Sequence, residues 1–399
     1  MLAVTNFMMK DKKLKFKNPL KWPFVTIQIP VFNDPVAARC IDRCLNFDYP
    51  KDRYEILVAD DSTDEKTKKI LDRYKGKVKI IRRNNRKGYK SGALNNLLGF
   101  TRGEIVVVFD SDFTPGKDFL KRIVKPFSSD EKIAIVQSRM GYINPNVNLV
   151  SKFASFLMMV YHNCWMPLNN RIGTVFFCGT GGAIRKNVLI KTGRWNENNL
   201  TEDAEISVKI LGSGYRAVYL HDLISPGELP FTLSSLLKQQ MRWVYGQTRI
   251  FIENWKEIWF GKVFNFVQKV VLTFLTIGHV SAPFVLLMAI TGQLGWIVGT
   301  GPGNFKLTPA DIIRFFTILI LTSGFLAIGN YAIKQERKKF KMRSFIAGAL
   351  TIGVILAFTT TIAMSQAILN RKMSWFRTPK WGSISILKFF KHLFSGKVL

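Results

Sequence analysis

Short β-rich runs alternate with helical stretches over the first half of the chain, from residue 25 to about residue 220. Consecutive apolar positions are typical of strands that are buried on both faces, as in a parallel sheet covered by helices. The alternation therefore predicts an α/β fold with a mainly parallel sheet and helices on both sides. The five clearest predicted strands are 25–29, 54–59, 78–81, 105–109 and 133–137.

The second half of the chain contains three long apolar runs with few charges, at 266–290, 312–333 and 345–369. Each approaches the ~20 residues that cross a bilayer as a helix. With a cytosolic first half, two crossings place the basic cluster at 334–343 inside, as the positive-inside rule prefers. A third crossing would place the basic tail outside, so a re-entrant or interfacial helix is the alternative for that run. We expect two or three spans.

The net charge of the chain limits the classes of partner that it can bind. There are 58 Lys and Arg residues against 27 Asp and Glu residues, a net charge of +31, which excludes an acidic disordered protein. The basic residues concentrate beside apolar runs and no nucleic-acid-binding module occurs, so we expect an anionic bilayer surface as partner and no nucleic acid. The four cysteines form no CxxC pair, which predicts reduced thiols in a cytosolic domain.

Two further stretches have aromatic side chains at helical spacing, residues 149–165 and residues 233–259. A helix packed into the core gives the same periodicity as a helix at the bilayer interface. The Trp and Phe residues beside Lys and Arg favour the membrane surface for both stretches.

Acidic side chains follow two of the predicted strands, and the carboxyl ends of parallel strands are where open α/β sheets bind ligands. Asp110 and Asp112 form a DxD pattern suited to holding Mg²⁺ or Mn²⁺ against a diphosphate. Asp60 and Asp61 end an earlier strand, where they can accept hydrogen bonds from a nucleoside, although a helix cap near Asp64 is an alternative. The basic, glycine-containing loop at 82–92 between them suits phosphate oxygens.

Three more motifs follow in the chain. The loop at 177–182 is rich in small residues and includes Gly181, which lets backbone approach a substrate. Glu202 and Asp203 begin a predicted helix, where an acid either favours the helix dipole or removes a proton from an acceptor hydroxyl. Finally, Gln239, Arg242 and Trp243 form a QxxRW pattern in which Arg can pair with diphosphate and Trp can offer a flat face to a sugar.

Together these motifs resemble those of membrane-bound family 2 glycosyltransferases of the cellulose synthase-like type, related to mannan synthases, hyaluronan synthases and ceramide glucosyltransferases. The resemblance covers residues 24–259 and continues in the FRTPK segment at 376–380, which is similar to a gating loop. It implies a Rossmann-like GT-A fold that binds a nucleotide sugar, with transfer by inversion.

The resemblance also implies residue roles. Asp112, helped by Asp110, would hold Mg²⁺ or Mn²⁺, and Asp203 would be the catalytic base. The remaining site residues would bind the nucleotide, the diphosphate, the leaving group or the acceptor: Asp60, Asp61, Lys90, Gly181, Glu202, Gln239, Arg242 and Trp243. We expect a UDP-sugar rather than a GDP-sugar as donor.

The resulting organisation has five parts: a basic arm at 1–23, a cytosolic GT-A domain at 24–230, an interfacial helix at 231–262, a transmembrane region at 263–369, and a basic gating-like tail at 370–399. We expect an integral protein of the plasma membrane that elongates a β-glycan. Two or three helices hardly enclose a polymer channel, so copies or partner subunits would complete one. The alternative is transfer of one sugar to a ceramide-like or polyprenyl-phosphate lipid.

Overall fold

A single mixed sheet organises residues 25–227 of the computed structural model, which describes residues 16–297, 328–336 and 342–373. Within these residues the sheet has seven strands in the order β3-β2-β1-β4-β6-β5-β7. They are β1 Val25–Val31, β2 Tyr54–Asp60, β3 Lys79–Arg82, β4 Ile105–Val108, β5 Ile133–Tyr142, β6 Gly182–Arg185 and β7 Arg216–Gly227. All five predicted strands are present, and the predicted α/β class is confirmed.

The short strand β6 was not predicted, and it runs antiparallel to both of its neighbours, β4 and β5. Gly182 at its start pairs with Val108 at the end of β4. An antiparallel strand begins where its partner ends. The loop before β6 therefore reaches the same sheet edge as the Asp110–Asp112 turn.

Helices cover both faces of the sheet and continue beyond it. They are α1 Ala37–Leu45, α2 Glu65–Asp72, α3 Tyr89–Leu98, α4 Phe119–Ser129, α5 Leu149–Val160, α6 Met166–Ile172, α7 Lys186–Lys191, α8 Glu202–Gly212, α9 Leu233–Phe260, α10 Phe266–Ile277, α11 Ser281–Ile297, α12 Met342–Gly348 and α13 Val354–Ile368. A π-turn at Tyr161–Trp165 joins α5 to α6. Large buried side chains fill the space between sheet and helices, with Phe47, Phe109 and Phe119 on one face and Phe177 and Tyr219 on the other.

Of the three predicted membrane spans, the third corresponds to one continuous apolar helix, Ser344–Ile368, in which a π-helical turn at Ala349–Gly353 joins α12 to α13. It is the one helix among the described residues that is long and apolar enough to cross a membrane. The first predicted span is instead divided by a 3₁₀ turn, Gly278–Val280, into α10 and α11. Most of the second span, the arm at 1–15 and the tail at 374–399 with its FRTPK segment lie outside the described residues.

The placement of residues 149–165 at the membrane surface needs correction. Phe153 and Phe156 are buried, and both rings stack on Phe345 of the apolar helix. The apolar stripe of α5 is thus covered by protein, although Trp165 keeps 44% of its surface exposed. Helix α9 differs, because it buries Val244 and exposes aromatic side chains near its end.

Candidate active site

The turn at Asp110 and Asp112 follows β4 directly, and its two carboxylates have different surroundings. Asp112 is fully buried, and its Oδ2 accepts the backbone N–H of Glu228 at 2.7 Å. The Asp110 side chain is one-third exposed, and its Oδ1 lies 2.7 Å from the ammonium of Lys90. Asp110 is therefore the carboxylate that a ligand can reach.

Lys90 lies in the first turn of α3, after Gly88 in the left-handed region with φ +69°. Its Nζ also donates to the carbonyl oxygen of Gly179 at 3.0 Å. Burial disfavours the charged form, but the negative charges of Asp110 and Glu202 outweigh it and raise the pKa of Lys90. A fixed positive charge thus stands at the centre of the site.

Two acids at the start of α8 face this ammonium. Burial raises the pKa of Glu202 to about 7, with the charge of Asp203 adding to the shift. Burial also raises the pKa of Asp203, whose Oδ1 accepts the Ala204 N–H at 2.9 Å. A carboxyl group with a raised pKa is suited to accept a proton near neutral pH.

Gly179 allows the loop before β6 to reach these groups. It has φ +76°, and a Cβ atom there would lie 2.8 Å from Asp203 Oδ2 and 3.4 Å from Lys90 Nζ. Any side chain would therefore displace the Asp203 carboxylate or the Lys90 ammonium. Gly179 lies in the small-residue loop at 177–182 that was singled out, but it was not among the predicted site residues.

Gly181 was predicted to let the backbone approach a substrate, and in the structure its backbone groups are bonded to the sheet. It is buried, its N–H donates to the Val108 carbonyl at 2.9 Å, and its carbonyl accepts the Ser138 N–H at 3.1 Å. A Cβ atom at Gly181 would contact Ser138 and Ser225. Gly181 therefore fastens the loop to the sheet, and Gly179 is the glycine beside the acids.

The QxxRW pattern lies near the start of α9, with Gln239, Arg242 and Trp243 half-buried. The positive charge of Arg242 lowers the pKa values of Glu202 and Asp203, so the guanidinium is within electrostatic reach of both acids. One turn later, Gly246 touches Thr201 so closely that a Cβ atom has no room. This contact holds α9 against the start of α8.

Asp60 and Asp61 are held by the basic loop that follows β3. Arg82 Nε lies 2.6 Å from Asp60 Oδ2. Arg83 forms a bidentate pair with Asp61 and also donates to the carbonyl oxygens of Lys87 and Tyr89. The helix-cap role falls to Asp64, which accepts the Thr67 N–H at 2.7 Å.

Tyr161 and Cys178 border the acids and were not predicted as site residues. The Tyr161 hydroxyl is 4.0 Å from Cys178 Sγ. Burial and the charge of Asp203 raise the pKa of Cys178 to about 12, so the thiol stays protonated. Cys178 lies in the loop that was singled out, whereas the π-turn that carries Tyr161 leaves no local sequence signal.

The carboxylates offer few direct metal ligands. Among the described residues, no three His, Cys, Asp or Glu side chains are grouped so that they could hold a metal. Mg²⁺ is nevertheless often bound by one or two carboxylates together with substrate phosphates. The exposed carboxylate of Asp110 fits such a site.

Residues 26–193 match the Glycosyl transferase family 2 domain. The chain carries a domain of this family. Among curated proteins, it is 32% identical to the probable glucomannan 4-beta-mannosyltransferase 11 of Oryza sativa subsp. japonica, over 65% of this chain and 48% of that protein. It is 30% identical to glucomannan 4-beta-mannosyltransferase 2 of Arabidopsis thaliana, over 67% and 56% respectively. The chain thus spans about half the length of these relatives.

The family 2 domain also has solved structural neighbours. The mannosyltransferase PcManGT from Pyrobaculum calidifontis, in complex with GDP-Man and Mn²⁺, superposes with a TM-score of 0.65 at 19% identity, over 93% of this chain and 94% of that one. The GT-A-like fold that the motifs implied is confirmed.

Proposed function

We propose that this protein is an inverting glycosyltransferase that elongates a β-glycan by transferring a hexosyl unit from a nucleotide sugar. The observation that carries the proposal is the meeting of Asp110, Lys90 and Asp203 around Gly179 at one sheet edge. It combines a cation for the leaving diphosphate with a half-buried acid for the acceptor hydroxyl. The names of the plant relatives support a β-mannan type of product.

GDP-mannose is the donor we propose. A UDP-sugar was the donor expected from the sequence, but the curated relatives are named mannosyltransferases, and the structural neighbour was solved with GDP-Man. Asp61, held by Arg83, lies at the strand end where a nucleoside would bind.

In the proposed reaction, Asp203 accepts the proton of the acceptor hydroxyl as its oxygen attacks the anomeric carbon of the donor. A bond forms between that oxygen and the anomeric carbon, and the bond from the carbon to the diphosphate breaks. The departing diphosphate gains negative charge, which the ammonium of Lys90 and the guanidinium of Arg242 stabilise. Attack from the opposite face converts an α-linked donor into a β-linked product.

A divalent cation fits this site if Asp110 is its main protein ligand and the diphosphate completes its coordination. Mg²⁺ or Mn²⁺ would neutralise charge on the diphosphate. Asp112 was expected to be the principal ligand, but its burial and its bond to Glu228 favour a role in shaping the turn.

The other two residues of the QxxRW pattern would contact the substrates. Gln239 would steady the leaving group, and Trp243 would stack on the acceptor.

The protein would work at a membrane. The apolar helix Ser344–Ile368 packs along α9 and exposes Phe358 by 59%, while α10 exposes Phe266 by 72%. Exposed apolar surface of this extent marks a membrane or protein contact. The same packing favours the second candidate function, transfer of one sugar to a membrane lipid, because α9 carries the QxxRW pattern and also contacts the apolar helix.

The test is a donor and acceptor screen on the full chain in detergent with Mn²⁺ or Mg²⁺. Radiolabelled GDP-mannose and UDP-glucose are each offered with β-mannan oligosaccharides or with membrane lipids, and the products are sized. We expect mannose transfer to the oligosaccharides, with Asp203→Asn as the inactive control. A product confined to the lipid extract would favour the second candidate, and transfer from UDP-glucose alone would contradict the proposed donor.

A further inference from the structure

Arg39, on α1, connects two segments that are far apart in the sequence. Its Nη2 donates to the backbone carbonyl of Asp112 at 2.9 Å and to Oε1 of Glu228 at 2.8 Å. The Glu228 side chain is 3% exposed, and that of Arg39 is 27% exposed. One guanidinium nitrogen thus joins the DxD turn to the segment that follows β7.

The segment from Pro226 to Glu228 contacts the DxD turn along its length. The Glu228 N–H donates to Asp112 Oδ2 at 2.7 Å, and the Thr114 N–H donates to the Pro226 carbonyl at 2.7 Å. A Cβ atom at Gly227 would lie 2.6 Å from the ring of Phe113, so the two segments are in close contact there. The turn takes its shape from this segment.

We propose that Arg39 and Glu228 are positioning residues that orient Asp110 for binding a divalent cation. This proposal rests on the proposed function. The hydrogen bonds of the two residues reach the backbone carbonyl and the side chain of Asp112. They fix the backbone of Asp112, two residues along the chain, and so set the direction in which Asp110 faces the diphosphate. Groups that orient metal ligands in this way typically change metal affinity about 10- to 100-fold when mutated.

The experiment compares Mn²⁺ binding in the presence of GDP, followed by electron paramagnetic resonance titration, for the full chain and for Glu228→Gln, Arg39→Gln and Arg39→Lys. Glu228→Gln keeps the side-chain shape and the backbone N–H donor, so it tests the proposal even where Arg39→Gln does not fold. The matched control is Arg102→Gln, because Arg102 pairs with the largely buried Glu55 at 2.8 Å at the opposite end of the strands.

We expect Mn²⁺ to bind at least about tenfold more weakly to Glu228→Gln and Arg39→Gln, with Arg39→Lys intermediate and Arg102→Gln unchanged. The KM for the donor at saturating Mn²⁺ should stay within about twofold of that of the unsubstituted protein. General loss of structure would change both the Mn²⁺ affinity and the KM. If folded Glu228→Gln binds Mn²⁺ as tightly as the unsubstituted protein, the role of Arg39 and Glu228 is overturned, and the proposed function is unaffected. Absence of Mn²⁺ binding by the unsubstituted protein with GDP contradicts the proposed metal-dependent function as well.

Discussion

Lys90 Nζ lies 2.7 Å from Asp110 Oδ1, so the ammonium beside the candidate base Asp203 is already paired with the carboxylate that we propose as the metal ligand. A donor diphosphate entering with a divalent cation would give each of them a new partner, the cation for Asp110 and phosphate oxygens for Lys90. Before the donor binds, the ion pair thus fixes the positions of both side chains.

Replacement of Lys90 by Met should change the pH dependence of transfer. The positive charge of Lys90 lowers the pKa values of Glu202 and Asp203, which burial raises. Without that charge, both acids stay protonated to higher pH, so the acid limb of the kcat/KM profile moves to higher pH. We also expect about a 10- to 100-fold loss of kcat/KM from the missing charged hydrogen bond. Lys87→Met, an exposed residue in the same loop, is the control. An unmoved acid limb would show that the charge of Lys90 does not act on the base.

The variant Asp203→Asn should abolish transfer and spare donor binding. An amide cannot accept the acceptor proton, and loss of a general base typically costs about 10²- to 10⁴-fold in rate. Donor binding is measured by isothermal titration with GDP-mannose, and transfer by product formation. Glu202→Gln is the matched control, since it neutralises the neighbouring buried acid and keeps the Asp203 carboxylate. Equal losses of binding and transfer in Asp203→Asn would remove it from the base role.

Gly246→Ala should destabilise the protein and reduce activity. The new methyl group meets Thr201 at the start of α8, and overpacking of this kind costs about 1–3 kcal/mol, more than the helix propensity that Ala gains. Because α9 carries the QxxRW pattern, transfer should fall even below the unfolding temperature. Thermal unfolding measures the first effect. Gly212→Ala is the control, because its nearest neighbour, Phe264, is at 3.8 Å. Equal unfolding temperatures for the two variants would contradict the packing argument.

Acid should destabilise the fold through His162. Burial lowers its pKa to about 3, with the charge of Arg139 adding to the shift. The unfolded chain takes up a proton near pH 6.5 and the folded protein does not, so stability falls as pH drops from about 6.5 toward 3, by at most about 1.4 kcal/mol per pH unit. His162→Asn should flatten this dependence in thermal unfolding between pH 7.5 and pH 5. An equally steep dependence in the variant would assign the effect to other groups.

Local patterns predicted the strands and the acids because a buried parallel strand is apolar at each position and its polar ending is visible in the sequence. The strand β6, Gly182–Arg185, has four residues and no such contrast. The different positions of Gly181 and Gly179 could not be predicted for a related reason. Both glycines have positive φ, and only the packing decides which one faces Asp203.

Contacts over long sequence distances could not be predicted from local spacing. Arg39 and Glu228 are 189 residues apart. The apolar stripe of α5 is equally consistent with a bilayer and with a protein partner, and the structure supplies Phe345 as that partner. Periodicity shows that a face is apolar but does not show what covers it.

Helix α9 has 28 residues and is about 42 Å long. It carries the QxxRW pattern and also packs on the apolar helix. Arg242 stands at one level of this helix, and two turns later Arg249 reaches the carbonyl of Ala367 at 3.4 Å. Seven residues of helix rise about 10 Å. Helix α9 therefore sets the distance, measured along its own axis, between Arg242 and the contact of Arg249 with the last turn of the apolar helix.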